Sequence, residues 1–316
     1  MKIFKILLLI STILIFTNAY SAEFDPTKNP IEIVVGYPPG GSQDIVGRIV
    51  LKIFEKHGWK GIVVNKVGGD ASIAARYVAT AAPNGQTLLI AGVVPLGTNI
   101  ADPYKNLSYQ YSDFDHITLI SKTSLVLYAN PSLGIKNYAD YERWVKQHPK
   151  DYTVGVFAAY ATVLLKDVNN RSQMPAPLIV PYKGSNDLIA GILSNTINFT
   201  VDSYAANKEL IAVGKIVPIA VFDRHPPATL SKVKILPNQD PSGEFYMWTG
   251  IVAPAGTPPN VVKKINQVIN IGLKDPQIKK IINESGFETF GGSIEEFQDL
   301  NTQTITKFRF LFNKNS

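Results

Sequence analysis

The feature that most constrains this chain is a strand, turn and helix step that occurs twice with nearly the same residues. Ile31 to Val35 is a short run rich in β-branched residues. It leads through Gly36-Tyr37-Pro38-Pro39-Gly40-Gly41 into Ile45, Val46, Ile49, Val50, Ile53 and Phe54, which recur at helical spacing until Gly58 stops them. Much later Pro177 to Pro181 runs into Tyr182-Lys183-Gly184-Ser185 and a helix with Leu188, Ile189, Ile192 and Leu193 on one side. Gly41-Ser42-Gln43-Asp44-Ile45-Val46 matches Gly184-Ser185-Asn186-Asp187-Leu188-Ile189 in residue class at every position. The echo predicts two α/β halves, each presenting a helix amino terminus in an equivalent place.

The rest of the chain keeps the alternation. Gly61 to Val64 reads as a strand, Ser72 as a cap for a helix through Thr80, and Gln86 to Ala91 as a strand after the turn Pro83-Asn84-Gly85. His116 to Ser121 and Ser124 to Ala129 read as two strands, followed by a helix from Tyr138 to His148 and a strand from Tyr152 to Phe157. Ile219 to Phe222 and Tyr246 to Ala253 are further strands. The last helices span roughly Pro259 to Lys274, Pro276 to Ser285 and Ile294 to Phe310. Strands separated by helices imply an α/β fold with mixed, mainly parallel sheets covered by helices. Ligands of open α/β sheets sit beyond the carboxyl ends of the strands, so both helix starts border one cleft if the halves face each other.

Composition supports an exported protein with two cores. The 316 residues are 45% hydrophobic and 18% charged, ample for more than one core. Lys2 and Lys5 precede an apolar stretch from Ile6 to Phe16, too short to span a membrane, and Ala19 and Ser21 stand before a cut ahead of Ala22. A signal peptide over 1–21 is therefore expected, and with it a periplasmic location. Losing the two lysines lowers the formal net charge from +6 by two, to +4. No cysteine is present for a disulfide or a lipid anchor. The densest basic group, Lys263, Lys264, Lys274, Lys279 and Lys280, is interspersed with Asp275 and Glu284 and reads as a solvated face rather than a nucleic-acid footprint.

A helix start leaves backbone N–H groups unpaired and carries about half a positive charge, so an anion is welcome there. Ser42 and Ser185 are plausible caps whose hydroxyls are alternatively available to a ligand. Gly40 and Gly41 permit close backbone approach, and Pro38 and Pro39 restrict the loop before binding. The same sequences also serve as ordinary cap-and-turn signals. Asp44 and Asp187 favour a structural role against the dipole, although a carboxylate there also repels an anion; Lys183 is either an attractor or simply hydrated. A rival enzyme reading comes from Gly40-Gly41-Ser42-Gln43-Asp44, which partly imitates the G-x-S-x-G elbow of a serine hydrolase, but Asp44 replaces the last glycine. His57, His116, His148 and His225 belong to no recognisable base motif. The chain is therefore read as a non-enzyme, and with no Cys/His cluster or H-E-x-x-H, no metal or cofactor is expected.

Taken together, the segments IVVGYPPGGSQDIVGR, VVNKVGGDASIAARYVATAAPNGQTLLIAG, VPYKGSNDLIAGILSNTINFTVD and WTGIVAPAGTPPNVVKKIN resemble the Bug-type receptors, the extracytoplasmic solute-binding proteins of tripartite tricarboxylate transporters. The resemblance covers nearly the whole mature chain. It implies a two-domain periplasmic binding protein fold of type II-like form, joined by two strand-like crossings, that closes on a small carboxylate like a Venus flytrap. Domain one is expected over 22–125 and 226–316, domain two over 126–225, with hinges near Lys122 to Leu125 and Val221 to His225. The ligand-binding residues implied are Tyr37, Gly41, Ser42, Gln43 and Asp44 in the first loop; Phe157, Ala158, Tyr160 and Thr162 in the second; and Tyr182, Lys183, Gly184 and Ser185 in the third. The implied partners are a small-molecule carboxylate and the permease subunits of such a transporter, with the receptor itself a monomer and no role in nucleic-acid binding. A sensor that presents its closed form to a membrane signalling partner is the alternative. Two departures stand out. Gln43 replaces the small hydroxyl residue common after GGS, and Gly155 to Thr162 replaces a glycine/serine-rich loop with one carrying Phe157 and Tyr160. Both rings suggest a ligand with an apolar or aromatic portion.

Overall fold

The computed structural model describes residues 24–236 and 245–314; the expected leader at 1–21 lies outside the described residues. The first strand, β1 (Ile31–Val35), runs into α1 (Ser42–Lys56), which buries Val46, Ile49, Val50, Ile53 and Phe54 of the predicted apolar set and leaves Ile45 half-buried. β2 (Gly61–Asn65), α2 (Ser72–Ala79) and β3 (Thr87–Gly92) complete a unit in which β1 pairs in parallel with both β2 and β3. A π-helical turn, Val93–Thr98, and a helical turn, Asn99–Ala101, follow; nothing in the sequence pattern announces them.

Next comes β4 (Phe114–Ala129), one strand of 16 residues where the sequence suggests two. Its first part pairs antiparallel with β10 (Tyr246–Pro254) as far as Ser124, and from Leu125 it pairs antiparallel with β7 (Phe199–Ser203) and then β8 (Val217–Val221). The polar pair Lys122-Thr123 resembles a break, yet the backbone there only exchanges partners. Lys122 is held by Glu288 at 3.3 Å, on β11 (Glu288–Thr289), which also pairs with β4.

The other half contains α3 (Tyr138–Gln147), β5 (Thr153–Val156), α4 (Ala159–Arg171), β6 (Leu178–Pro181), α5 (Ser185–Leu193), β7, α6 (Tyr204–Ala212), β8 and β9 (Lys234–Ile235). β5 is parallel to β6 and β7. The strand order β2-β1-β3-β10-β4-β7-β5-β6 is thus a mixed sheet, parallel on its flanks and antiparallel at its centre. Residues 226–236, expected with the first half, stay with the second. β9 pairs with β8, the Leu236 N–H donates to the Val221 carbonyl, and Leu230 packs with Val221 and Ile216.

The terminal helices are α7 (Pro259–Gly272), α8 (Pro276–Glu284) and α9 (Ile294–Lys314). Ile265, Ile269 and Ile278 pack with Ile31, Ile33 and Ile53 of the first half. The last helix reaches further: Trp248 donates to Thr304 at 3.0 Å, and Lys314 donates to the buried Asp167 of α4 at 2.9 Å.

Candidate functional site

The first wall of the site begins where β1 ends. Gly36 lies against the start of α2 so closely that a methyl group there would overlap Ala71, and Gly40 turns the chain at φ +81°. The Gly41 N–H then donates to the Pro38 carbonyl at 3.3 Å and α1 begins at Ser42. Asp44 fixes this loop from behind. Its buried carboxylate accepts from the Gly40 N–H at 2.9 Å, from Arg48 Nε at 2.8 Å and from Asn65 at 3.0 Å. Burial pushes the Asp44 carboxyl up, but the bonds from Arg48, Gly40 and Asn65 and the charge of Arg48 outweigh it and hold the group below its ordinary value. Asp44 is therefore a structural member of the loop, with its carboxylate turned away from the cleft.

The second wall is the start of α5. Gly184 occupies the cap position and its missing side chain faces open space. Ser185 donates to Asp202 at 2.9 Å, and the same carboxylate accepts from the Ser203 N–H at 2.7 Å and from Asn207 at 2.9 Å. Burial raises the Asp202 carboxyl to about 6 against the opposing pull of Ser203, Asn207 and Ser185. The serine caps expected from the sequence are corrected here. Gly41, Ala71 and Gly184 are the caps of α1, α2 and α5, and none of these starts has a side-chain cap bond; Ser42, Ser72 and Ser185 are first helical residues. A one-residue shift turns the hydroxyls of Ser42 and Ser185 outward from their own helices. Ser42 Oγ instead lies 3.3 Å from Ser203 Oγ, linking the two walls.

Both helix starts line one cavity of about 180 Å³. That is close to the roughly 150 Å³ of an engineered protein cavity that admits benzene. Of the residues expected from the sequence, Tyr37, Gly41, Ser42 and Gln43 line it from the first half, and Phe157, Tyr160, Gly184 and Ser185 from the second. Tyr37 and Phe157 meet edge to face across it, with ring centroids 6.2 Å apart. Asp44, Ala158, Thr162, Tyr182 and Lys183 lie off the wall. Ala158 is the buried cap of α4, Tyr182 packs its hydroxyl against Gly191 beneath α5, and Lys183 is exposed.

Several wall residues carry no signal in the sequence reading. Thr123, Met247 and Thr249 come from the central antiparallel strands, Val94 from the π-helical turn and Phe287 from the segment before β11. Asp202 and Ser203 end β7, a strand absent from the elements expected above, at the carboxyl end where α/β sheets present their ligands. Among the described residues no lysine, arginine or histidine lies on the wall. What the wall offers an anion is backbone, N–H groups at two helix starts, each charge-assisted bond contributing about 1.5–3 kcal/mol, against the carboxylates of Asp187 and Asp202 on the same wall. Ring nitrogens of His57, His116 and His148 lie within hydrogen-bond distance of the Ile53 carbonyl, Asn301 and the Trp144 carbonyl respectively, His225 is exposed, and among the described residues none of the four lines the cavity with Ser42.

Comparison with known proteins bears on the fold and the family. Residues 46–315 match the model of the tripartite tricarboxylate transporter family receptor. A UPF0065 protein from the tcbD-tcbE intergenic region of Pseudomonas sp. (strain P51) is 26% identical over 90% of this chain and 85% of its own. Protein BugT of Bordetella pertussis is 26% identical over 84% of this chain and 82% of its own. The structure of R. palustris Rpa4515 with adipate superposes with a TM-score of 0.84 at 25% identity, covering 91% of this chain and 97% of that one. The periplasmic binding protein BugD shares the fold, with a TM-score of 0.80 at 24% identity, covering 91% and 97%. Among the described residues no helix is long and apolar enough to cross a membrane. The chain has the mixed α/β periplasmic binding protein fold and belongs to the tripartite tricarboxylate transporter receptor family.

Proposed function

We propose that this protein is a periplasmic receptor that captures a small organic carboxylate with an apolar or aromatic portion and delivers it to the permease of a tripartite tricarboxylate transporter. The observation that carries the reading is the convergence of two helix starts, from opposite halves of the molecule, on a cavity to which the described residues contribute no cationic side chain. Backbone N–H groups at Ser42 and Ser185 hold the carboxylate, and Tyr37, Phe157 and Tyr160 enclose the body. Adipate, named in the R. palustris structure, is a carboxylate of this kind with a hydrocarbon middle.

In this reading the halves are lobes that move about β4 near Leu125, and 226–236, tied to β8 through β9, travels with the second lobe. The contacts Ser42 to Ser203 and Tyr37 to Phe157 then belong to the closed form, which ligand favours by touching both lobes at once. The closed form is what the permease recognises. Residues 1–21 direct export.

Titration calorimetry with a panel of aliphatic and aromatic mono- and dicarboxylates, each beside its neutral amide, tests this. Micromolar binding of at least one acid with an apolar or aromatic body, and loss of binding in its amide, is expected. Equal binding of acid and amide contradicts the helix-start anchor; tight preference for a short aliphatic diacid contradicts the apolar body.

A further inference from the structure

Two wall side chains have polar atoms that the protein does not satisfy. Tyr160 is fully buried, with its ring against Phe157 at 5.8 Å and Phe245 at 6.0 Å, yet its hydroxyl has no hydrogen-bond partner among the described residues. Gln43 donates through its amide nitrogen to Thr249 Oγ1 at 3.3 Å, and its amide oxygen is buried and unpartnered. Both residues line the cavity. Buried polar atoms are normally paired, and two exceptions on residues that line a binding cavity point to a missing guest.

The character of the wall says what that guest must offer. The Gln43 oxygen accepts only, and the Asp187 and Asp202 carboxylates add acceptors, while burial keeps the Tyr160 hydroxyl protonated and able to donate or accept. The helix starts already serve a carboxylate. What remains unserved is acceptor capacity beside the aromatic walls. An acid with a bare hydrocarbon body leaves those oxygens unpaired, whereas one with a hydroxyl or amino group on its body pairs them.

Building on the carboxylate reading above, we propose that the cavity selects an organic acid whose apolar body carries a hydrogen-bond donor, a hydroxyl or an amino group, and that Gln43 and Tyr160 read that donor. A site built to bond a substrate O–H or N–H rejects the analogue without it far more strongly than a purely apolar pocket does. Selectivity therefore resides in two residues at the starts of α1 and α4, one in each half.

The test uses two matched series: hexanoate with 6-hydroxyhexanoate and 6-aminohexanoate, and benzoate with 4-hydroxybenzoate and 4-aminobenzoate. Each is titrated into the wild-type protein and into the Tyr160→Phe and Gln43→Met variants, whose folding is checked by circular dichroism. The readout is the affinity ratio of substituted to parent acid within a series. In the wild type this ratio is expected at about 10- to 100-fold in at least one series, falling at least fivefold in both variants. The hydroxyl and amino arms identify which donor is read. Substituted and parent acids binding within twofold of each other in both series overturns the proposal, as does a ratio that neither variant changes; water then satisfies the two atoms. Failure of all six acids to bind the wild type is a separate result that removes the carboxylate reading itself.

Discussion

The starts of α1 and α5 face the same cavity with almost the same six residues, yet they are held in opposite electrostatic ways. At α1 the aspartate of the echo, Asp44, turns inward and meets Arg48 one helical turn later. At α5 its counterpart Asp187 stays exposed on the wall, because the residue one turn later is Gly191, against which the Tyr182 hydroxyl packs. The buried carboxylate that supports α5 comes instead from the end of β7, and Asp202 has only neutral donors around it. One start is thus locked by a compensated charge, the other by a neutral network around an uncompensated one. The difference shows that a six-residue match fixes backbone geometry, glycine cap followed by helix, while residues outside the match decide the charge.

If the two starts are equivalent as anchors, blocking either should be equally damaging. Gly41→Val and Gly184→Val are each expected to weaken binding of the tightest acid in the panel about a thousandfold, with thermal unfolding unchanged. Gly41 has ordinary φ, Gly184 is extended, and a side chain at Gly184 meets no protein atom within 4 Å. A large loss from one variant and none from the other would reduce the pair to a single anchor.

The electrostatic contrast predicts opposite pH slopes. Asp202 titrates at about 6 in the folded protein against 3.8 for the ordinary group, so between about pH 4 and 6 the folded state binds more protons than the unfolded one. Its contribution to stability therefore falls as pH rises through that window, by up to about 3 kcal/mol. Denaturant titrations of the wild type and Asp202→Asn should diverge with rising pH, the variant gaining. Asp44 behaves in the reverse sense. Its contribution is present above the ordinary carboxylate value and is lost as pH falls through its depressed folded value.

A smaller effect is expected from Asp44→Ala, which frees the Gly40 N–H and Asn65; the loss should be about 2 kcal/mol, measured as a lower denaturation midpoint at pH 7. Smallest of all is Asp187→Asn. Being exposed, it should change stability by less than about 0.5 kcal/mol, while affinity for a carboxylate rises a few-fold as a like charge leaves the wall.

The parts of the fold that the sequence announces are those where one element buries one continuous face. β1, β2 and β3 are runs of branched residues, and α1 shows its apolar face at helical spacing, so they are legible. β4 is not, because a strand that changes partners at Lys122 to Leu125 keeps its backbone bonds while its side chains look like a loop. Both helix starts were visible from their glycines and serines, but cap and first helical residue differ by one position, which reversed the role of the serine hydroxyls. The remaining wall residues escaped for a topological reason. Thr123, Met247 and Thr249 reach the cavity from within antiparallel strands, where no turn chemistry marks them. Asp202 escaped because its significance depends on the company of Ser185 and Asn207, which only the folded chain supplies.

The most direct measurement is a crystal structure of the protein with the acid that binds most tightly in the panel. The account predicts carboxylate oxygens within hydrogen-bond distance of backbone N–H groups at both Ser42 or Gln43 and Ser185 or Asn186. A carboxylate held by Lys183, or by one helix start with the other turned to solvent, would contradict it.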